Sequence, residues 1–165
     1  MTSEHLLHTI PPIYDRNSKI LILGSFPSVK SREVSFYYGH LQNRFWRVLA
    51  AVLGCAVPSS REEKTALLQS HNIALWDVIK SCDIVGSSDN SIKNVVPNDI
   101  GAILSSCCIR QIYSNGKTSE RLFNKYIKDT VGRDTVALPS TSPANASYNL
   151  ERLTDSWSVI KNHIR

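Results

Sequence analysis

The chain has 165 residues with 42% hydrophobic and 20% charged side chains, 7 Gly and 7 Pro, which is the composition of an ordinary globular domain and excludes a disordered, fibrous or repetitive chain. At this length one domain over residues 1–165 is expected, large enough to bury its own core and too short for two. No apolar run approaches a membrane span and residues 1–10 lack an apolar signal core, so a cytoplasmic protein is expected, while nineteen Lys and Arg against fourteen Asp and Glu give +5, a balance that suits an anionic partner without requiring one.

Residues 19–25 (KILILGS) form a continuous apolar run ending in Gly and Ser, the pattern of a strand buried on both faces of a parallel sheet. A long loop follows. Residues 44–53 then carry Phe45, Val48, Leu49 and Val52 at helical spacing, with Gly54 where a helix stop belongs. Ser60 and Glu63 match a capping box and open a second helix to about residue 70. Residues 73–79 (IALWDVI) read as the next buried strand, and the polar stretch 80–94 as a connection long enough to carry function. Asn98 can cap a short helix to about residue 106, residues 109–114 (IRQIYS) make a third strand, and residues 118–128 (TSERLFNKYIK) an amphipathic helix. A fourth strand at 135–138, a loop, and a closing helix at 149–163 complete the pattern. Strands alternating with helices predict a layered α/β fold with a parallel sheet. Ligands of such sheets bind beyond the strand C-terminal ends, which directs attention to 24–43, 77–94, 114–118 and 138–147.

Cys55, Cys82, Cys107 and Cys108 fit neither a paired metal-ligand spacing nor a disulfide framework, so small buried thiols and no bound metal are expected. No G-x-S-x-G elbow is present, and the turn after the first strand is too short for a Lys-bearing phosphate loop. Lys117, Arg121, Lys125 and Lys128 recur at near-helical intervals, a basic stripe that suits either a phosphate backbone or a solvated face.

The densest chemistry lies in GSFPSVKSREVSFYYGHLQNRFWRVL, residues 24–49, which joins a strand end, a Gly-x-x-Pro turn, adjacent tyrosines and a His-x-x-Asn entering a helix. A second segment, LPSTSPAN at 138–145, follows the last strand. Together they resemble the uracil-DNA glycosylase superfamily. Its mismatch-specific branch carries a Gly-x-x-Pro-Gly turn and then, in the same register, His-Pro-x-Asn-Arg-Phe-Trp, which here reads HLQNRFW at 40–46; LPSTSPAN is similar to the superfamily's Pro-Ser wedge loop. The resemblance covers most of the chain and is nearest to the hypoxanthine-DNA (deoxyinosine) glycosylase branch. It implies a three-layer α/β sandwich in which helices flank a central four-stranded parallel sheet. It also implies a monomeric, monofunctional DNA glycosylase that flips a deaminated base out of damaged DNA, hypoxanthine above all, and hydrolyses its N-glycosidic bond with no cofactor.

Two departures shape the site that the resemblance implies. Phe26, in the expected base pocket, stands where the superfamily commonly has an Asp or Asn that handles water, and Leu138 stands where the classical uracil enzymes have a His. Both point away from ordinary uracil excision and move catalysis onto Asn43, as in the hypoxanthine branch. The Asn43 carbonyl is expected to hold a water against the anomeric carbon while its amide donates to the nucleotide; the alternative is a helix cap. His40 would orient Asn43 or donate to the leaving group, or be structural. Leu41, in place of a common Pro, is expected to loosen the approach to the Asn43 helix.

Tyr38 falls in the register of a base-stacking aromatic, and Phe36, Tyr37 and Tyr38 cannot all enter the core if their segment is extended. Ser28, where the classical enzymes have a bulky Tyr, leaves room for a purine. Asp77 would accept from the purine N1–H, or cap a loop. Ser140 and Thr141 suit a phosphate grip, Ser142, Pro143 and Asn145 would occupy the space of the flipped nucleotide, and Lys117 and Arg121 would follow the backbone. Two readings stay open beside this one: a uracil or thymine mismatch glycosylase, and a non-catalytic module that binds damaged DNA.

Overall fold

The computed structural model describes residues 2–165. Its elements follow in the order β1 (Glu4–Leu7), β2 (Ile20–Gly24), α1 (Val29–Val34), α2 (Phe45–Leu53), α3 (Arg61–Ser70), β3 (Ile73–Asp77), β4 (Ile79–Ile84), β5 (Lys93–Pro97), α4 (Ile100–Ser106), β6 (Gln111–Asn115), α5 (Lys117–Tyr126), α6 (Lys128–Val131), β7 (Thr135–Leu138) and α7 (Leu150–Trp157). The four apolar runs become one parallel sheet of order β3-β2-β6-β7.

Pleating sends alternate residues of β2 to opposite faces, and both faces are apolar because both are covered. Ile20 and Ile22 pack with Phe45, Leu49, Leu68 and Trp157 from α2, α3 and α7. Leu21 and Leu23 pack with Ile100, Leu122 and Phe123 from α4 and α5. Every residue of β2 is buried, and full burial of each such Leu or Ile stabilises the fold by about 1.5–3 kcal/mol. The expected three-layer sandwich is the fold that forms. Local signals behave as read: Gly54 ends α2 at φ +71°, and Ser60 Oγ accepts from the Glu63 amide at 3.0 Å to open α3.

The largest correction concerns 80–94, expected as a polar loop. Its two ends fold as β4 and β5, which with β1 make a second, antiparallel sheet of order β1-β4-β5. These strands are apolar on one side only and carry Ser, Asp, Lys and Asn among their residues, so no apolar run announces them. The expected strand 73–79 is divided: β3 ends at Asp77 and β4 begins at Ile79. Asn98 does not cap α4; the side chain of Asp99 does, accepting from the Ala102 amide. Asn98 instead bridges the bend between the sheets, its buried amide donating to the carbonyls of Asp77 (2.9 Å) and Ile79 (3.1 Å). The short helix α1 was not expected, and the closing helix gives way after Trp157 to a 3-10 turn over Ser158–Asn162.

Register aligns the strand ends that matter. Gly24 pairs with Asp77, Leu23 with Ser114, and Asn115 with Leu138, so Asp77, Gly24, Asn115 and Leu138 form one row across the C-terminal edge of the sheet. The chain winds from β2 to β3 in one direction and from β6 to β7 in the other, which puts the switch point at the middle of that row.

Asn98→Ala would leave the carbonyls of Asp77 and Ile79 without this donor. It is expected to destabilise the protein by about 2 kcal/mol or more, since a buried polar group left unpaired costs about 1–3 kcal/mol. Urea unfolding of the variant measures this.

Candidate active site

Gly24 is where a side chain would obstruct the row. A Cβ there would lie 2.4 Å from Asp77 Oδ1 and 3.1 Å from the Tyr38 hydroxyl, so the absence of one lets both polar atoms close over the strand end. Asp77 is 4% exposed. Its Oδ2 shares a hydrogen bond of 2.7 Å with Nε2 of His8, whose side chain is 1% exposed and lies edge-on to Phe26 and Trp76. Its Oδ1 has no hydrogen-bond partner among the described residues, and Asp77 lines a cleft of about 600 Å³.

A continuous hydrogen-bond network forms one wall of this cleft. Phe45 N–H donates to Asn43 Oδ1 (2.9 Å), and the Thr141 hydroxyl donates to the same oxygen (3.0 Å). Thr141 Oγ1 in turn accepts from Asn115 Nδ2 (3.0 Å), which also donates to the Tyr38 hydroxyl (3.2 Å); Asn115 Oδ1 accepts from the Thr141 amide (3.1 Å). A backbone N–H can only donate, so the orientation of the Asn43 amide is fixed by Phe45. Both acceptor sites of its carbonyl oxygen are occupied, and the free polar group is the Nδ2 amide. The expected water-holding carbonyl is therefore corrected: the oxygen caps α2 and ties two loops together, leaving a hydrogen-bond donor beside the cleft.

Arg44 holds the loop after β7. Its guanidinium donates to the carbonyls of Tyr148, Ser142 (2.8 Å) and Asn145 (3.1 Å), and its amide to Thr141 O (3.0 Å). Gly116, at φ +94°, brings the start of α5 against the same loop, where a Cβ would stand 3.1 Å from that of Ser140.

The expected base-pocket residues come together. Phe26, Ser28, Tyr38 and Asp77 line the cleft with His40 and Asn43. Ser28 also caps α1, accepting from the Ser31 amide. Residues 36–38 are turned rather than extended, which lets Tyr37 enter the core and donate to Pro11 O while Phe36 stacks on Trp46 and Tyr38 on Phe45, the last at 4.0 Å between ring centroids. Tyr38 adopts φ +52°, a left-handed backbone uncommon for a bulky residue. The loosening expected from Leu41 does not occur: the Asn43 amide donates to His40 O (3.0 Å) and the Gln42 amide to His40 Nδ1 (3.1 Å), closing a turn. His40 thus meets Asn43 through the backbone.

From the second motif, Ser140, Ser142 and Pro143 line the cleft, but Thr141 is fully buried, and its side chain links loops instead of facing a phosphate. Asn145 lies outside the cleft lining, since its side chain donates to Ser140 O (3.0 Å) and closes its own loop. Lys117 and Arg121 are exposed on α5 and also lie outside the lining. Lys128, from the same stripe, pairs with Asp134 at 3.0 Å. His8, Asn115, Arg44 and Asp89, a second carboxylate of the cleft, were not singled out from sequence. Arg44 stands in the HLQNRFW motif, and Asp89 and Asn115 in the stretches 77–94 and 114–118 beyond strand ends, whereas His8 carried no signal.

Against known proteins, the sequence profile of the Uracil DNA glycosylase superfamily matches residues 11–161. The chain belongs to the uracil-DNA glycosylase superfamily. Within that superfamily it is 33% identical over 155 residues to a protein of Methanosarcina acetivorans named hypoxanthine DNA glycosylase, covering 93% of this chain and 96% of that one. A protein of the same name from Methanosarcina barkeri is 34% identical over 150 residues, covering 90% and 93%. A solution NMR structure from Methanosarcina acetivorans, provisionally described as a uracil DNA glycosylase, superposes with a TM-score of 0.79 at 32% identity over 93% of this chain and 95% of that one. No helix among the described residues is long and apolar enough to cross a membrane.

In this glycosylase fold the two tyrosines stay neutral. Burial, and then the neighbouring Asp77, hold the Tyr37 and Tyr38 phenols well above their ordinary range. The unfolded chain releases phenolic protons near pH 10 while the fold retains them, so the unfolded state binds fewer protons there. Stability is expected to be unaffected by these groups below about pH 10 and to fall above it. Thermal unfolding across that range checks this, and Tyr37→Phe should make the fall shallower.

Proposed function

We propose that this protein is a monofunctional DNA glycosylase that removes hypoxanthine from deoxyinosine, acting as a cytoplasmic monomer without a cofactor. The observation that carries the reading is Asp77, 4% exposed and lining the cleft, whose Oδ1 has no hydrogen-bond donor among the described residues. Hypoxanthine carries an N1–H donor that such an oxygen accepts, whereas adenine presents a lone pair at N1, which a carboxylate repels. His8 holds the other carboxylate oxygen. The names and identities of the relatives support the same substrate.

The Tyr38 ring, backed by Phe45, offers one face for the extruded base, a contact worth about 1–3 kcal/mol. The Asn43 amide then donates to an acceptor of the departing purine. The bond between C1′ and N9 breaks with its electron pair moving to the purine, and hydrogen bonding at that ring stabilises the developing charge. Water adds to the oxocarbenium-like sugar and loses a proton, and the departing purine anion takes up a proton from solvent, giving an abasic site and neutral hypoxanthine. Among the described residues no Lys lines the cleft to carry a lyase step through a Schiff base.

Asn43→Ala is expected to lower single-turnover excision of hypoxanthine by roughly 10²–10³-fold with little change in affinity, the loss typical of one preorganised donor. Asn43→Asp is the discriminating variant, because it keeps the acceptor for Phe45 and Thr141 but loses the amide donor. A loss comparable to that of Asn43→Ala, with stability closer to wild type, is expected; near-normal excision by Asn43→Asp would return the role to a water-holding oxygen. A panel of duplexes bearing hypoxanthine, uracil, xanthine or adenine, cleaved with alkali after reaction, tests the substrate. Binding to inosine DNA with no abasic product would establish a non-catalytic module instead. Asp77→Asn should narrow the preference for hypoxanthine over adenine by about tenfold or more, since a hydrogen bond to a charged group is worth about 1.5–3 kcal/mol.

A further inference from the structure

Leu41 is 91% exposed, far more than any other large apolar side chain among the described residues, of which the next is Leu7 at 62%. Its surroundings give it no partner to pack against and no freedom to find one. It occupies the second position of the turn closed by the Asn43 amide and His40 O, braced by the Gln42 amide on His40 Nδ1. The far end of that turn is fastened to the second loop, because Asn43 Oδ1 accepts from Thr141 and the Arg44 amide donates to Thr141 O. A rigid turn therefore presents an isobutyl group to water, at a point flanked by two cleft-lining residues, His40 and Asn43.

Extruding a nucleotide leaves a gap in the base stack, and proteins that open duplexes fill such gaps with apolar side chains. The adjacent loop presents Ser140, Thr141, Ser142, Pro143 and Ala144 at the cleft, side chains too small or too compact to replace a base pair. We infer that Leu41 is the wedge of this protein: it enters the duplex at the position vacated by the flipped nucleotide and holds the base extrahelical. The inference rests on the proposed glycosylase activity. Leu41 would act through the duplex alone and contribute nothing where there is no stack to fill.

That difference supplies the test. Wild type and Leu41→Ala are compared in single-turnover excision of hypoxanthine from one oligonucleotide, once single-stranded and once paired with its complement. Leu41→Ala should be about tenfold slower or more on the duplex and within about twofold of wild type on the single strand, because filling the vacated stack matters only in the duplex. Leu41→Met, which keeps an apolar chain of similar length, should restore most of the duplex rate. Unchanged duplex excision by Leu41→Ala, or an equal loss on both substrates, overturns the inference. Wild-type excision from the single strand reports on the glycosylase reading by itself: its absence together with absence of duplex excision overturns that reading, whatever Leu41 does. The side chain is solvent-exposed, so thermal unfolding of the variants should match wild type.

Discussion

Thr141 has one hydroxyl hydrogen, and the architecture of the cleft follows from its being donated to Asn43 Oδ1. Thr141 Oγ1 in turn accepts from Asn115, whose amide reaches on to Tyr38, so the ends of three different strands are held at hydrogen-bond distances by one buried side chain. Such a chain has little tolerance for rearrangement. Buried polar groups left unmatched cost about 1–3 kcal/mol each, and Thr141, Asn43 and Asn115 each have two hydrogen-bond partners to lose. The network consequently decides which end of the Asn43 amide is available, and hence whether the site offers a substrate an acceptor or a donor.

Behind that wall, the sheet register supplies the floor. A row of four strand ends would ordinarily carry four side chains; because Gly24 has none, Asp77 and the Tyr38 hydroxyl close over its strand end. Asp77 is then mostly buried by its neighbours, with Oδ2 held by His8 and the residue lining the cleft, which leaves an acceptor oxygen for a ligand. Tyr38 fits the same logic. Its left-handed backbone costs of order 1 kcal/mol, offset by stacking on Phe45 and by the bond from Asn115.

Arg44 explains how a loop rich in Ser, Pro and Ala keeps a fixed shape without a core of its own. Three backbone carbonyls converge on one guanidinium, and a fourth hydrogen bond leaves the Arg44 amide. Lys, with a single ammonium, lacks the planar fork that spans them. The motif that reads as Asn-Arg-Phe-Trp in sequence is thus one structural unit: an amide at the cleft, a staple for the neighbouring loop, and two aromatics that anchor helix α2 in the core.

The sequence by itself determined the parallel sheet, because strands buried on both faces must be continuous apolar runs, and it determined α2, α3 and α5, because an apolar face and local caps depend on neighbours a few residues apart. It also brought Asn43 and Tyr38 to attention through the first motif, and Asp77 through its place near the end of an apolar strand run. What it could not determine was pairing between distant segments. The antiparallel sheet stayed hidden because its strands are polar on one side. His8 stayed hidden because nothing near it in the chain indicates Asp77, sixty-nine positions away. Asn98 reads as a cap until the bend it bridges exists in space. The chemical polarity of Asn43 was decided last, by Phe45 two residues on and Thr141 ninety-eight residues on: a side-chain amide has a donor and an acceptor in every sequence, and only the folded chain determines which of them is already taken.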